Sequence, residues 1–546
     1  MAPWVLSLAA AAPVAVLIFL MVKRNPWPSY KALPFAALLL YLIKLVVFRS
    51  DPNITNATVL RGLLDAATPV LIIWGAVLLF KVMEASGSMD TVRGWLNRVT
   101  DNRVAQLMII SFAFGFLIEG ASGFGTPAAL AAPLLVGLGF EALPTAVCCL
   151  IMNSFPVSFG AVGTPTWFGL GSLGLDTAQI MEISWKSALM HGAAALVIPL
   201  LALKVLVSWR EIRRNLVFIY LSVLSCIIPY VLIAQWSYEF PSLVGGGVGF
   251  ILTVLLAGRG IGLAKNEKTG EGAETGNTGE NPRPGGVGFF GIVKALFPLW
   301  GSVLMLIVTR VKFLHIKECL QDKSEWFCCH LGSIGDLEVS CALVTSLKKI
   351  FGTGIGWSLE FLYLPAIIPF LAVSFLTFLL YRMKPAAGGK VLGESFAAMR
   401  YPVISLLGAL VLVALLLDRG VDTPLTPAKV IGTALAQLTG AGWQYIAPYL
   451  GALGAFFSGS NTVSNLTFGG IQLEAAKSLN LDVCTILALQ SVGGSHGNMI
   501  CINNIVAVGS ILGLASVPGY EGAILKRTFI PCLLYGVIAL LVVMAF

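Results

Sequence analysis

Charged residues are scarce in this chain. Asp, Glu, Lys and Arg together make up 11% of its 546 residues and there are only 4 histidines, whereas 57% of the residues are hydrophobic. A water-soluble domain of this length needs far more polar sequence to cover its surface. The composition therefore excludes a soluble enzyme and is typical of a polytopic helical protein in a lipid bilayer.

Cysteine pairs with metal-site spacing are also missing. The 10 cysteines show no CxxC pattern, which argues against a zinc ribbon, and they are too few for a disulfide scaffold in so long a chain. The formal net charge of +8 does not indicate a nucleic-acid partner, because the basic residues sit in short loops between apolar segments, where they set topology. Six cysteines in apolar segments are expected to pack as small hydrophobic residues: Cys148, Cys149, Cys226, Cys484, Cys501 and Cys532.

Apolar runs separated by basic loops predict the membrane topology. The first run is followed by Lys23 and Arg24, whereas a cleaved signal peptide carries its positive charges before the run. Placing the basic loops in the cytoplasm predicts roughly twelve crossings, with both termini extracytoplasmic. The predicted spans lie near 4–22, 33–48, 67–85, 143–171, 186–204, 216–234, 241–257, 292–310, 360–381, 401–417, 484–512 and 528–546.

Two stretches place glycines and small polar residues inside otherwise apolar sequence. They are residues 114–127 (FGFLIEGASGFGTP) and 454–472 (GAFFSGSNTVSNLTFGGIQ). A helix that breaks at membrane depth is tolerated only where it lines a cavity or is buried in protein. One such interruption in each half is typical of the substrate site of a secondary transporter. We therefore predict re-entrant hairpins at 105–140 and 443–472.

Each predicted hairpin is followed by an apolar stretch with polar residues at its middle, which indicates a broken helix at 143–171 and another at 484–512. The same order of elements thus occurs twice, and it predicts two units of opposite orientation, 1–215 and 291–546. Residues 216–290 then hold two linking helices and a disordered cytoplasmic linker, because 258–286 lacks apolar periodicity. The predicted fold class is all-α, with about 12 transmembrane helices and two hairpins in inverted repeats.

Residues 312–357 form a predicted extracytoplasmic loop. This loop contains four cysteines and two histidines, and the sequence leaves open a metal site, disulfides or free thiols. The residues concerned are Cys319, Cys328, Cys329, Cys341, His315 and His330.

One carboxyl group lies at depth in the first hairpin. Between residues 104 and 175 the only acids are Glu119 and Glu141, and Glu141 falls at the cytoplasmic return. An ionisable residue inside a membrane is by default a functional candidate, and burial favours the protonated form of a carboxyl, so Glu119 is the predicted proton carrier. The alternative is a structural bond to the hairpin backbone. His496 is a second candidate relay or a packing residue, and His191, in an apolar span, is expected only to pack.

Substrate binding at these interruptions needs no fixed cation. The N-termini of broken helices carry partial positive charge and free N–H groups, which together with Ser, Thr and Asn side chains can hold a monocarboxylate. Each such residue has an alternative role in hydrogen bonding between helices. The candidate ligands are Gly120, Ser122, Gly123 and Thr126 on the first hairpin; Ser458, Ser460, Asn461, Thr462, Ser464 and Asn465 on the second; and Asn153, Thr164, Asn498 and Asn503 on the broken helices.

Four motifs in this order resemble the L-lactate permease family. They are FGFLIEGASGFGTPAALAAPLLVGLGF (114–140), CLIMNSFPVSFGAVGTP (149–165), GSNTVSN (459–465) and GGSHGNMICINNIVAV (493–508). The resemblance implies proton-coupled uptake of L-lactate, with D-lactate or glycolate as related substrates, across the bacterial inner membrane and without a cofactor or metal. That family is similar to a wider group of ion transporters that carry Ser-Asn-Thr at their hairpin tips and work as dimeric elevators. Ser460-Asn461-Thr462 matches that triplet, which implies an elevator-type homodimer.

The sequence differs from the family pattern at two places. Many lactate permeases have an acidic residue at the position of Asn461 and a lysine-containing run at 497–503. A sodium-coupled carboxylate symporter is therefore the alternative function, and a channel is another. The run Gly120-Ala121-Ser122-Gly123 also fits the GxSG pattern of intramembrane serine hydrolases, which leaves the mirrored segment 459–465 unexplained.

Overall fold

The computed structural model describes residues 3–23, 27–123, 126–264, 289–310, 315–364, 366–418, 426–514, 517 and 519–545. The chain is mostly helical, because its apolar runs must satisfy their backbone groups internally. The α-helices are α1 (Pro3–Val22), α2 (Ser29–Val46), α3 (Pro52–Asp65), α4 (Ala67–Ala85), α5 (Ser88–Val99), α6 (Arg103–Leu107), α7 (Gly115–Ser122), α8 (Thr126–Gly137), α9 (Ala142–Met152), α10 (Gly160–Trp167), α11 (Thr177–Ala195), α12 (Ile198–Lys204), α13 (Trp209–Arg214), α14 (Leu216–Ala234), α15 (Pro241–Gly258), α16 (Phe289–Ala295), α17 (Phe297–Arg310), α18 (Ile316–Leu320), α19 (Val373–Leu380), α20 (Pro385–Leu417), α21 (Pro427–Thr439), α22 (Trp443–Ser458), α23 (Asn461–Ser478), α24 (Val483–Gly497), α25 (Ile502–Ile511) and α26 (Tyr520–Val543).

Several of these helices are suited to a membrane. Among the described residues, 5 helices are long and apolar enough to cross one, and up to 7 if each of two bent helix pairs is a single span. Helices coincide with the predicted spans, but the twelve crossings and the orientation of the termini stay predictions. Residues 265–288, most of the predicted linker, lie outside the described part of the chain.

Pairs of packed helices lie at both predicted hairpins, and the re-entrance of these hairpins from one side of the membrane stays a prediction. In the first, α8 packs back along α7 and along the π-helical stretch Met108–Phe114 that precedes it. In the second, α23 packs back along α22. The first arm of the first hairpin consists of α6, the π-helical stretch and α7. It forms a continuous apolar run, Arg103–Ala121, which is one of the 5 helices long enough to cross a membrane, whereas the prediction had it turn back at depth.

Both predicted broken helices are also present. The pair Ala142–Met152 and Val157–Leu173 is bent by 63°. The second is interrupted where α24 gives way to a 3₁₀ turn, Asn498–Ile500, and an extended residue, Cys501, before α25 begins. One hydrophobic core joins the first hairpin to α9, α11, α14, α15, α24 and α26, and a second core lies among α1, α2, α20 and α21.

The predicted extracytoplasmic loop contains an antiparallel sheet that the sequence analysis missed. Its strands, in the order β1-β2-β3-β4, are β1 (Glu325–His330), β2 (Asp336–Ser340), β3 (Val344–Lys348) and β4 (Trp357–Glu360). Ala57 of α3 packs under it, against Leu347 and Ile350, so α3 and the sheet lie on one face, which we call the sheet face. The four cysteines of this region are free thiols, and His315 and His330 bond to the carboxylates of Glu318 and Asp336.

A buried ion pair joins α2 to the end of α20. Lys44, which is fully buried, pairs with the carboxylate of Asp418, and its Nζ also donates to the backbone oxygen of Asp418 at 3.1 Å. An ammonium group buried without a partner is costly. This ion pair adds to the apolar packing of α2 along α20.

Replacing one partner of this pair should destabilise the protein. Lys44→Met leaves the Asp418 carboxylate in a mostly buried site, at an expected cost of about 3 to 5 kcal/mol. The measurement is the melting temperature of the detergent-solubilised protein, with the double variant Lys44→Met/Asp418→Leu as the control that removes both charges. A double variant that melts no higher than the single one would contradict this account.

Candidate functional site

A small cavity lies where the two hairpin tips meet the two broken helices. Its open space is about 10 Å³, roughly that of one water molecule. Gly123 and Asn461, from the tips of different hairpins, both face it, so the two distant interruptions of the sequence come together. The lining residues are Glu119, Gly123, Val157, Gly160, Ala161, Pro165, Gly459, Ser460, Asn461, Thr462 and Asn498.

Glu119 is the one ionisable side chain among the described residues that line this cavity. It is 1% exposed, and Nδ2 of Asn153 donates to its Oε2 at 3.3 Å. A β-carbon placed on Gly160 would lie 2.5 Å from Oε1 of Glu119. The carboxyl group fits in this position because residue 160 has no side chain.

The backbone around the first tip is strained. Gly123 ends α7 at φ +65°, a conformation that favours glycine, and opposite it Ala161 and Val162 have φ values of +43° and +57°. A β-branched residue rarely adopts positive φ, and such strain clusters at functional sites. The carbonyls freed there are bonded, since Thr164 Oγ1 donates to Ala161 O at 2.5 Å and Trp167 Nε1 donates to Val162 O at 3.0 Å.

The second tip presents the N-terminus of α23 to the cavity. Ser460 is the N-cap, and its Oγ accepts from the N–H of Val463 at 3.4 Å. The N–H groups of Asn461 and Thr462 precede the first bond within the helix, and both residues line the cavity. A helix N-terminus with this geometry can bind an anion such as a carboxylate.

The Asn461 side chain is bonded to the second broken helix. Its Nδ2 donates at 3.0 Å to the backbone oxygen of Ser491 and at 3.0 Å to Oγ of Ser495, both on α24. Its Oδ1 packs against Gly494 and occupies the space that a β-carbon on that residue would need. Asn461 therefore offers its backbone to the cavity and uses its side chain to fix the tip to the second broken helix.

Several other predicted ligands are bonded to neighbouring backbone. Ser464 Oγ donates to Gly451 O at 2.7 Å and Asn465 Nδ2 donates to Pro165 O at 2.9 Å. Ser458 Oγ donates to backbone oxygens on its own hairpin, and Gly120 packs against the backbone of α15. Asn498 does line the cavity, where its Oδ1 accepts from Asn504 at 3.2 Å. The side chains of Ser122, Thr126 and Asn503 lie outside the described residues.

Neither histidine of the core lines the cavity. His496 is buried, stacks on Tyr535, and has Nδ1 3.2 Å from Sγ of Cys532. His191 does more than pack: its Nε2 lies 2.9 Å from Oγ of Ser158 and its Nδ1 lies 2.6 Å from the hydroxyl of Tyr535. Its partners come from distant segments, so helical spacing could not reveal them.

Ser158 connects this histidine to the second hairpin. Its Oγ lies 3.0 Å from Oγ of Ser491 and 2.9 Å from Oγ of Ser495, which also bonds to Asn461. A buried hydrogen-bonded network thus joins α11 and α26 to both broken helices. The only sequence signal for it is the cluster of serines and glycines at 154–160 and 491–497.

One group of side chains has the spacing of a metal site. Glu182, Asp482 and Cys484 lie close together where α11 meets the start of α24. Nζ of Lys186 is 2.6 Å from Oε1 of Glu182 and 2.5 Å from Oδ2 of Asp482. The ammonium group already pairs with both carboxylates, so the cluster is an ion-pair contact between two helices.

The sequence matches the family model described as L-lactate permease over residues 6–546. The chain belongs to the L-lactate permease family. It is 48% identical over 529 residues to a Haemophilus influenzae protein whose L-lactate permease name is provisional, covering 97% of this chain and 96% of that one. Membership of this permease family makes the protein a membrane transporter and not an enzyme, so the serine hydrolase alternative was wrong.

Two more distant relatives are named as permeases for different substrates. The L-lactate permease of Bacillus subtilis is 27% identical over 498 residues, covering 87% of this chain and 84% of that one. The glycolate permease of Escherichia coli is 26% identical over 542 residues, covering 92% and 89%. Among solved structures, the YdaH transporter of Alcanivorax borkumensis aligns with a TM-score of 0.45 and 14% identity, covering 94% of this chain and 99% of that one.

The close contact between Gly160 and Glu119 yields a direct test. Gly160→Ala should displace the carboxyl group and lower the uptake of L-lactate, for which the family is named, by about 10- to 100-fold, because small shifts of positioned groups have large effects. The measurement is initial uptake by cells that express equal amounts of folded protein. Gly137→Ala is the matched control, since a methyl group there meets no atom within 4 Å. Wild-type uptake by Gly160→Ala would show that the position of Glu119 does not matter.

Proposed function

We propose that this protein imports L-lactate, and related small 2-hydroxy monocarboxylates such as D-lactate or glycolate, across the bacterial inner membrane by proton symport. Family membership and relatives named as L-lactate and glycolate permeases support the substrate class. The proposal of proton coupling rests on the charge of the small cavity. Its described lining residues include one acid, Glu119, and no cation.

An anionic substrate and an ionised Glu119 are incompatible in so small a site. At a separation of about 5 Å and an effective dielectric constant of about 20, two negative charges repel by about 3 kcal/mol. Protonation of Glu119 removes this repulsion and turns the carboxyl group into a hydrogen-bond donor. Each monocarboxylate therefore binds together with one proton, and the loaded site carries no added net charge relative to the empty, ionised one.

In this proposal the substrate carboxylate binds at the start of α23. The N–H groups of Asn461 and Thr462 and the partial positive charge of this helix end supply what a fixed cation would otherwise supply. Ser460 and Asn498 are the polar side chains left near the 2-hydroxyl group. Since the cavity has room for only about one water, the hairpin tips must separate to admit even a three-carbon acid.

The two hairpins and two broken helices also support a transport mechanism. We assign residues 1–215 and 291–546 to inverted repeats, with 216–290 linking them, and propose an elevator movement in a homodimer with both termini extracytoplasmic. The meeting of corresponding elements from the two units at one cavity supports this proposal.

Sodium coupling has one observation in its favour. Oδ1 of Asn153 is buried beside the Glu119 carboxyl and has no hydrogen-bond partner among the described residues. A carboxylate and an amide oxygen are ligands that a sodium ion accepts. Proton coupling is preferred because a single acid without a neighbouring cation suffices for it.

The decisive experiment is uptake of labelled L-lactate by proteoliposomes under an imposed gradient of protons or of sodium. We expect accumulation with an inward proton gradient in sodium-free buffer and none with sodium alone. Dependence on sodium would establish the alternative. Counterflow of labelled substrate distinguishes a carrier from a channel, which shows no counterflow.

Glu119→Gln separates exchange from accumulation. Glutamine resembles the protonated acid, so lactate exchange should continue while accumulation driven by a pH gradient, about tenfold per pH unit for one proton per lactate, disappears. Glu141→Gln, at the exposed return of the same hairpin, should behave as wild type. If Glu119→Gln still accumulates lactate against a gradient, Glu119 is not the proton carrier.

A further inference from the structure

A second and much larger cavity opens on the sheet face. It measures about 630 Å³ and lies between α3 and α20 on one side and the ends of α10 and the start of α23 on the other. We call it the vestibule. Arg61, Asp65, Phe168, Ile355, Asp418 and Leu466 are among its lining residues.

The vestibule ends about one helical turn from the small cavity. Along α10, Pro165 lines the cavity and Phe168 lines the vestibule; along α23, Thr462 lines the cavity and Leu466 lines the vestibule. Three or four residues of helix correspond to about 5 Å. The small cavity and the vestibule are therefore adjacent along the same two helices, α10 and α23.

A single layer of contacts separates these two spaces. Asn465, which faces neither cavity, donates to the backbone oxygen of Pro165 at 2.9 Å. A β-carbon placed on Gly169 would lie 3.0 Å from Cβ of Asn465, so the two helices are in close contact at this level. This contact lies between the residues that line the vestibule and those that line the small cavity.

The charged groups of the vestibule are not equivalent. Asp418 is paired with the buried ammonium of Lys44. Arg61 has its Nε 3.7 Å from Oδ2 of Asp65, a distance that allows charge attraction but is too long for a hydrogen bond. The Arg61 side chain is 52% exposed, and a guanidinium group can hold a carboxylate by two parallel hydrogen bonds.

We propose that the vestibule contains an outer binding site for the carboxylate of the substrate, with Arg61 as its ligand. Arg61 is the one cation among the described residues that line either cavity. The incoming carboxylate binds the guanidinium in competition with Asp65 and is then one contact layer away from the start of α23. This inference rests on the proposed function, because it takes a monocarboxylate anion as the substrate.

Kinetics of L-lactate uptake test the outer site. Arg61→Gln should raise the KM about tenfold with little change in the maximal rate, because charge attraction at an access site raises the local concentration of substrate and not the rate of the later steps. Arg61→Lys should recover part of the affinity, and Asp65→Asn, which removes the competing carboxylate, should lower the KM. The KM of the wild type should rise with ionic strength, and that of Arg61→Gln should respond much less.

Lys349→Gln is the matched control for general surface charge. Lys349 is 77% exposed on the sheet face and does not line the vestibule, so its replacement removes the same charge without touching the site. An unchanged KM in Arg61→Gln, an equal rise in Lys349→Gln, or a KM that does not fall in Asp65→Asn would overturn the outer site while leaving the proposed function intact. Absence of lactate uptake by the wild-type protein under any gradient would instead reject the proposed function, and the outer site with it.

Discussion

The fold depends on one requirement: backbone groups that leave a helix inside the membrane must find partners within the protein. At the first broken helix, the side chains of Thr164 and Trp167 donate hydrogen bonds to the backbone carbonyls of Ala161 and Val162, respectively. At the second tip, the Ser460 hydroxyl caps α23. The polar side chains that make these breaks possible leave the start of α23 directed at the cavity. One requirement therefore accounts for both the broken helices and the proposed anion site.

Two of the buried charged residues, Lys44 and Glu119, have opposite surroundings. Lys44 is paired with Asp418, which fixes one arrangement of α2 and α20. Glu119 has only an amide partner, Asn153, and no cation near it in the cavity lining. A paired charge has little reason to change its protonation, whereas an acid without a counter-ion can respond to a proton or to an approaching anion. The first arrangement suits a structural element and the second suits a transport site.

Sequence reasoning identified the segments that meet at the small cavity, but it could not tell which of their polar side chains are bonded to neighbouring helices. Glu119 and Gly123 were identifiable because local sequence shows where an apolar helix breaks and which acid lies at the break. Asn461 and Asn465 were predicted to hold substrate, yet their amide groups bind backbone or side-chain oxygens on neighbouring helices, since any small polar residue at such a break can serve either purpose. The role of His191 depends on helices far away in the chain, which no spacing pattern reports.

The network around Ser158 has a consequence for the direction of its hydrogen bonds. Ser158, Ser491, Ser495 and Tyr535 contribute hydroxyl groups, each of which can donate or accept, and neutral His191 has one nitrogen of each kind. Tyr535 has no hydrogen-bond partner other than His191 among the described residues, so its hydroxyl donates to Nδ1 and the imidazole proton lies on Nε2, directed at Ser158. The hydrogen bonds of this network then run in one direction, from α26 through α11 to the two broken helices.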